Sequence, residues 1–258
     1  VFGSGAAQEM HRRWFESHID KFNLSYSNRS DEYHGLSIAG PNSRKVLEKI
    51  VRDDVSNEKF KFRDSRRMFV GGVPAIINRI SFTGELGYEI YVAPHYQLKL
   101  YEELMEAGKE FNIKPFGGRA LMSMRLEKNW GAWTLDYRPD FTAKETGLDA
   151  FINWDKEFIG KESAQKENSS NKLVPLIVET NEIDVTNNEA VLNGDQSIGY
   201  VTSGGFAHFV NKSVAFTFVD QKKIKSENKI QVEINGDLFN CSIIKEPLYD
   251  PSGQKMRS

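Results

Sequence analysis

The chain has 258 residues, enough for more than one core, and 39% hydrophobic with 27% charged residues is an ordinary globular composition. Its net charge of −2 gives no basis for a nucleic-acid groove or a polybasic membrane patch, and no apolar run reaches the ~18 residues of a span. The one cysteine, Cys241, excludes an internal disulfide and gives no support to a zinc site. It lies in apolar alternation, which predicts a buried, inert thiol. A reducing, cytoplasmic setting is the expectation.

The chain opens at Val1 and shows no charged–apolar–small leader, which predicts a fragment, or a processed or truncated product. Met10, Trp14, Phe15, Ile19 and Phe22 recur at helical spacing, predicting a helix over 6–22 with one inward stripe. Before it, Gly3-Ser4-Gly5 is similar to a dinucleotide fingerprint, but Gln8 stands where the third glycine is needed and no βαβ unit follows. A short strand near Leu36–Ala39 leads through Gly40-Pro41-Asn42-Ser43 into a helix ending about Val51. Residues 67–92 read as a strand, a Gly71-Gly72 turn, a strand over Ala75–Phe82, a glycine-punctuated turn and the strand Tyr88–Val92. Helices follow over about 97–111 and 117–129.

Composition changes after Gly160, where residues 161–172 are charged and rich in Asn and Ser. Beyond lie only strand signals: Leu173–Val178, Ala190–Leu192, Ser197–Thr202, Ser213–Val219, Ile230–Ile234 and Leu238–Ile244, with Asn-Gly turns between some of them. Six short strands predict a small antiparallel barrel or sandwich. The whole reads as α+β, with domains at 1–168 and 169–258.

Glu89 is the residue most in need of explanation. A carboxylate within Tyr88-Glu89-Ile90-Tyr91-Val92 is costly to bury without hydrogen bonds. It faces water, pairs with a local arginine, or awaits a ligand bearing N–H donors. Arg119 lies in the first turn of its helix, where the dipole disfavours a cation, which points to a partner anion. Arg125 and Glu127 read as structural ion-pair residues. No nucleophile elbow, P-loop, metal motif or acid pair is present, and His34, His95 and His208 are isolated.

Three strings, Ile80–Val92, Phe116–Lys128 and Glu145–Gly160, together resemble the folate-binding domain of the aminomethyltransferase family, which includes the glycine cleavage T-protein. The similarity is greatest to the folate-binding half of dimethylglycine and sarcosine dehydrogenases. Gly199–Gly204 and Glu246–Pro251 resemble that family's C-terminal barrel. The resemblance implies a partial folate domain followed by the barrel, with tetrahydrofolate as cofactor. It implies that Glu89 holds the pterin, that Arg119 meets the carboxylate end of folate or shapes the pocket, and that Tyr249 is the aromatic of the C-terminal tail. It places His11 where the family carries a catalytic aspartate; histidine is a base near neutral pH but lacks a fixed negative charge. The implied activity is one-carbon transfer from the iminium of a small methylated amine, supplied by an FAD oxidase domain or subunit that this chain does not contain. A folate-dependent methyltransferase or demethylase, or a non-catalytic folate-binding module, remain alternatives.

Overall fold

A computed structural model describes residues 1–180 and 182–258. The chain forms two compact units, residues 1–117 with 252–258, and residues 118–251. The sequence places the domain boundary near residue 168, whereas the compact units part at Gly117.

In the first unit, helix α1 (Gln8–Glu16) precedes β1 (His34–Ala39) and α2 (Ser43–Glu48). Strands β2 (Ser65–Val70), β3 (Val73–Asn78) and β4 (Gly87–Val92) follow, then α3 (Gln97–Gly108). The strands form an antiparallel sheet in the order β1-β4-β3-β2. The β2–β3 hairpin turns at Gly71 and Gly72, both at positive φ (55° and 79°), the conformation a two-residue type I′ turn demands. Alternation puts Met68, Val70, Val73, Ala75, Ile77, Tyr88, Ile90 and Val92 on one sheet face. There they pack with Val46 and Leu47 of α2 and Leu100 and Leu104 of α3. Glu89 and Tyr91 therefore stand on the opposite face, half-buried.

Two expectations change here. The strand expected over Ala75–Phe82 ends at Asn78. The next residues form a loop in which Ser81 Oγ accepts the Gly84 N–H and Thr83 Oγ1 accepts the Glu85 N–H, with Gly84 at φ 86°. Local side-chain hydrogen bonds of this kind compete with a strand ladder. The helix expected over 6–22 spans only Gln8–Glu16, flanked by 3-10 turns at Gly5–Ala7 and Ile19–Lys21. Its exit is held by Ser17 Oγ donating to the Trp14 carbonyl (2.9 Å) and by His18 Nδ1 at 2.9 Å from the same oxygen. No residue of α1 is buried, and Met10, Trp14, Phe15 and Phe22 of the expected inward stripe are exposed.

The second unit opens with α4 (Gly118–Glu127) and, after an irregular stretch, α5 (Lys161–Lys166). The six expected strands are present: β5 (Asn171–Val178), β6 (Ala190–Asn193), β7 (Gln196–Ala207), β8 (Lys212–Asp220), β9 (Ile230–Ile234) and β10 (Asp237–Ile243). They close into an antiparallel barrel, β10-β5-β8-β7-β6-β9. Asn235 and Gly236, at φ 55° and 92°, make the β9–β10 turn. Leu176, Val178, Val191, Ile198, Val201, Val232 and Ile234 fill one core. Leu126 of α4 joins Val214, Phe216 and Ile244 in a second cluster. Gly199 permits β7 and β8 to meet, since a Cβ there would lie 2.0 Å from the Phe218 carbonyl.

Candidate functional site

Strand β4 lies between β1 and β3, so Glu89 has a neighbour on each side: Ser37 on β1 and Asn78 on β3. All three belong to the sheet face away from the core. Among the described residues, one side chain bonds to the Glu89 carboxylate, the Tyr91 hydroxyl, which donates to Oε2 at 2.5 Å. No lysine or arginine pairs with it. Across the strand, Asn78 is buried and its Oδ1 has no partner. A half-buried carboxylate and a fully buried, unpartnered amide oxygen thus stand opposite one another on adjacent strands. An unmet buried acceptor costs about 1–3 kcal/mol.

Tyr91 is tightly placed. Its register partner on β1 is Gly35, where a Cβ would come within 2.9 Å of the ring, and the Phe2 ring packs on it with centroids 4.9 Å apart. Burial, and then the hydrogen bond to Glu89, push the phenol's pKa upward, so the hydroxyl stays protonated and remains a donor. One residue beyond Phe2, Gly3 lies against His11, to whose Nδ1 a Cβ would approach within 3.0 Å. The N-terminal segment thus touches both His11 on α1 and Tyr91 on the sheet.

Arg119 and Tyr249 belong to the second unit. Arg119 is 97% exposed, and its partner anion is Asp184 at 3.5 Å, a loose surface pair. Both line a cleft of about 870 Å³ bounded by α4 and β7, with Ser123, Ser203 and His208 on its walls. Tyr249 is not among the residues of that cleft. It is buried, with its ring edge-on to Phe209 at 4.7 Å and its N–H donating to the Glu127 carbonyl.

Arg125 forms the expected structural ion pair, and its partner is Asp136, which sequence reasoning missed. Arg125 Nη1 donates to Asp136 Oδ2 at 2.6 Å, with the two side chains 1% and 0% exposed. The Ala132 N–H also donates to Oδ2, while Thr202 and Ser203 hydroxyls donate to Oδ1 at 2.5 and 2.6 Å. Four donors meet the carboxylate, which offsets its desolvation. Asp136 lies in the irregular Leu135-Asp136-Tyr137 stretch, where no periodicity marks it. Glu127 similarly accepts the Phe209 N–H at 2.6 Å and more weakly that of Val210, and burial raises its pKa.

The chain thus joins a four-stranded antiparallel sheet in one unit to a closed six-strand barrel in the other, an α+β architecture. The GCVT N-terminal domain model matches residues 1–156, and the glycine cleavage T-protein C-terminal barrel domain model matches residues 171–250. The chain belongs to the glycine cleavage T-protein family. It is 34% identical over 253 residues to the mitochondrial dimethylglycine dehydrogenase of Homo sapiens, covering 95% of this chain and 29% of that protein. It is 33% identical over 244 residues to the aminomethyltransferase of Bacillus mycoides, covering 93% of this chain and 66% of that one. The crystal structure of the glycine cleavage system aminomethyltransferase T from Bartonella henselae superposes with a TM-score of 0.77 at 21% identity, covering 93% of this chain and 66% of that one. The chain thus spans less than a third of the dehydrogenase and about two-thirds of the aminomethyltransferases. The kinship with both follows from the sequence match, and the likeness of fold from the superposition. Among the described residues, no helix is long and apolar enough to cross a membrane.

Proposed function

We propose that this chain is a tetrahydrofolate-binding module for transfer of a one-carbon unit. The observation that carries this reading is the Glu89 carboxylate, half-buried in a central strand, with the Tyr91 hydroxyl as its partner and no cation. The amino-oxo pyrimidine edge of a pterin presents two adjacent N–H donors, which suit a carboxylate accepting in parallel. Bound tetrahydrofolate would supply the amine nitrogens that accept the one-carbon unit. The protein's part is to hold the pterin through Glu89, position it and exclude water from a donor that hydrolyses readily.

In this reading Arg119, an exposed cation, meets a carboxylate of the folate or shapes the pocket, and Tyr249 is a further pocket residue. His11 is the base. The one-carbon donor is the iminium of a small methylated amine, formed by a flavin-dependent oxidase domain or subunit. The kinship with a dimethylglycine dehydrogenase supports that choice of donor.

Titration calorimetry of 5-formyltetrahydrofolate into the wild type and Glu89→Gln tests the anchor. The variant keeps the size and loses the charge, so affinity is expected to fall by about 1.5–3 kcal/mol, the worth of a hydrogen bond to a charged group. A folded wild type that does not bind, or an unchanged affinity in the variant, sinks the reading.

A further inference from the structure

The geometry of strand β4 points to a positioning residue for that same site: we infer that Tyr91 orients the Glu89 carboxylate for its ligand, and that Gly35 exists to let it do so. The inference rests on the folate reading of Glu89. Residues i and i+2 of a strand share a face, but their side chains stand roughly perpendicular to the sheet and do not ordinarily meet end to end. Tyr91 reaches back to Glu89 only because its ring is laid down over the neighbouring strand. β1 offers no side chain at that point. The residue directly opposite is Gly35, and a Cβ there would stand 2.9 Å from Cε1 and 3.1 Å from Cδ1 of the ring. Real Cβ contacts at such distances force a shift, and here the obstructed group is the ring whose tilt sets the hydrogen bond. The Phe2 ring, 4.9 Å away, packs on it as well.

The consequence falls on Glu89. A glutamate side chain has three rotatable bonds and loses substantial entropy when a ligand fixes it. The Tyr91 hydroxyl, at 2.5 Å from Oε2, settles that orientation beforehand, and each carboxylate oxygen keeps lone-pair capacity for a further donor. Pre-organisation of this kind raises affinity without adding a contact to the ligand. Tyr91 therefore works through Glu89, and Glu89 remains the group that touches the pterin. Gly35 is equally specific in its task. Its φ is not in the left-handed region, so the close approach of the ring, and not backbone conformation, accounts for a glycine inside a strand.

The test is a double-mutant cycle read with 5-formyltetrahydrofolate by titration calorimetry. The proteins are wild type, Tyr91→Phe, Glu89→Gln, the double variant Tyr91→Phe/Glu89→Gln, and Gly35→Ala. Phenylalanine keeps the ring and its packing and removes only the hydroxyl, so the fold is preserved. The expected loss in Tyr91→Phe is about tenfold in Kd, the scale of one hydrogen bond. The same change made in the Glu89→Gln background should cost little further, since the carboxylate it orients is gone. Gly35→Ala should weaken binding in the same direction by displacing the ring, and circular dichroism with urea midpoints checks that it folds. Equal losses from Tyr91→Phe in both backgrounds would show a packing role and overturn the inference. So would wild-type affinity in Tyr91→Phe, even with Glu89→Gln impaired, and that outcome leaves the folate reading standing. No binding by a folded wild type overturns the folate reading and this inference with it.

Discussion

At Glu89, an ionisable group is placed in an inner strand of a sheet, and among the described residues its partner is the Tyr91 hydroxyl, with no counter-ion. Glu89 was visible in the sequence because a carboxylate interrupts an apolar strand. Tyr91 was equally visible, two residues on, but nothing in the spacing says that a ring will lie along the strand. That follows from Gly35, 56 positions earlier, coming opposite it (91 − 35). Asn78 was hidden for a related reason. The strand was expected to run through Phe82, and pairing register depends on where the loop begins. Cys241 gives a prediction at this scale. Burial pushes its thiol up to about 12, so almost none is thiolate at pH 8. Alkylation by iodoacetamide should be slow in the native protein and rapid in urea; labelling at equal rates in both states would show an open thiol.

Among the elements, α1 and α4 show what amphipathic spacing does and does not say. The stripe on α1 correctly marks an apolar helix face, yet periodicity carries no information about what covers it, and the structure leaves Trp14 and Met10 in solvent. On α4 the pattern is blurred, because Arg125, Glu127 and the adjoining Lys128 are buried among polar partners. The Arg125–Asp136 pair ties α4 to the loop after it and, through Thr202 and Ser203, to β7. Removing one partner leaves a buried charge unmet. Arg125→Met should therefore cost about 3–5 kcal/mol in urea denaturation, and adding Asp136→Leu should restore only a part of it, because the Ala132 N–H and the Ser203 hydroxyl then lose their acceptor. A single variant of near wild-type stability would mean that water reaches the pair.

For the molecule as a whole, the six barrel strands were legible because Asn-Gly turns and short apolar runs are local signals. The compact division at Gly117 was not, since it depends on α4 packing through Leu126 on barrel residues distant in sequence. Each unit has its own core, and among the described residues none is common to them. Ile77→Ala and Val232→Ala should therefore add in their effects on stability to within about 0.5 kcal/mol. A larger discrepancy would reveal coupling between the cores.

The two sheets also differ in how they end. In the barrel every strand has a neighbour on both sides, so no strand stands at an open edge of the sheet. The four-stranded sheet ends at β1 and β2. β2 carries Arg66 and Arg67, charges that discourage edge-to-edge addition, while β1 reads His34-Gly35-Leu36-Ser37-Ile38-Ala39, with no lysine, arginine or acid. If this protein forms fibrils under stress, the growing edge begins at β1, the same strand whose bare glycine accommodates Tyr91.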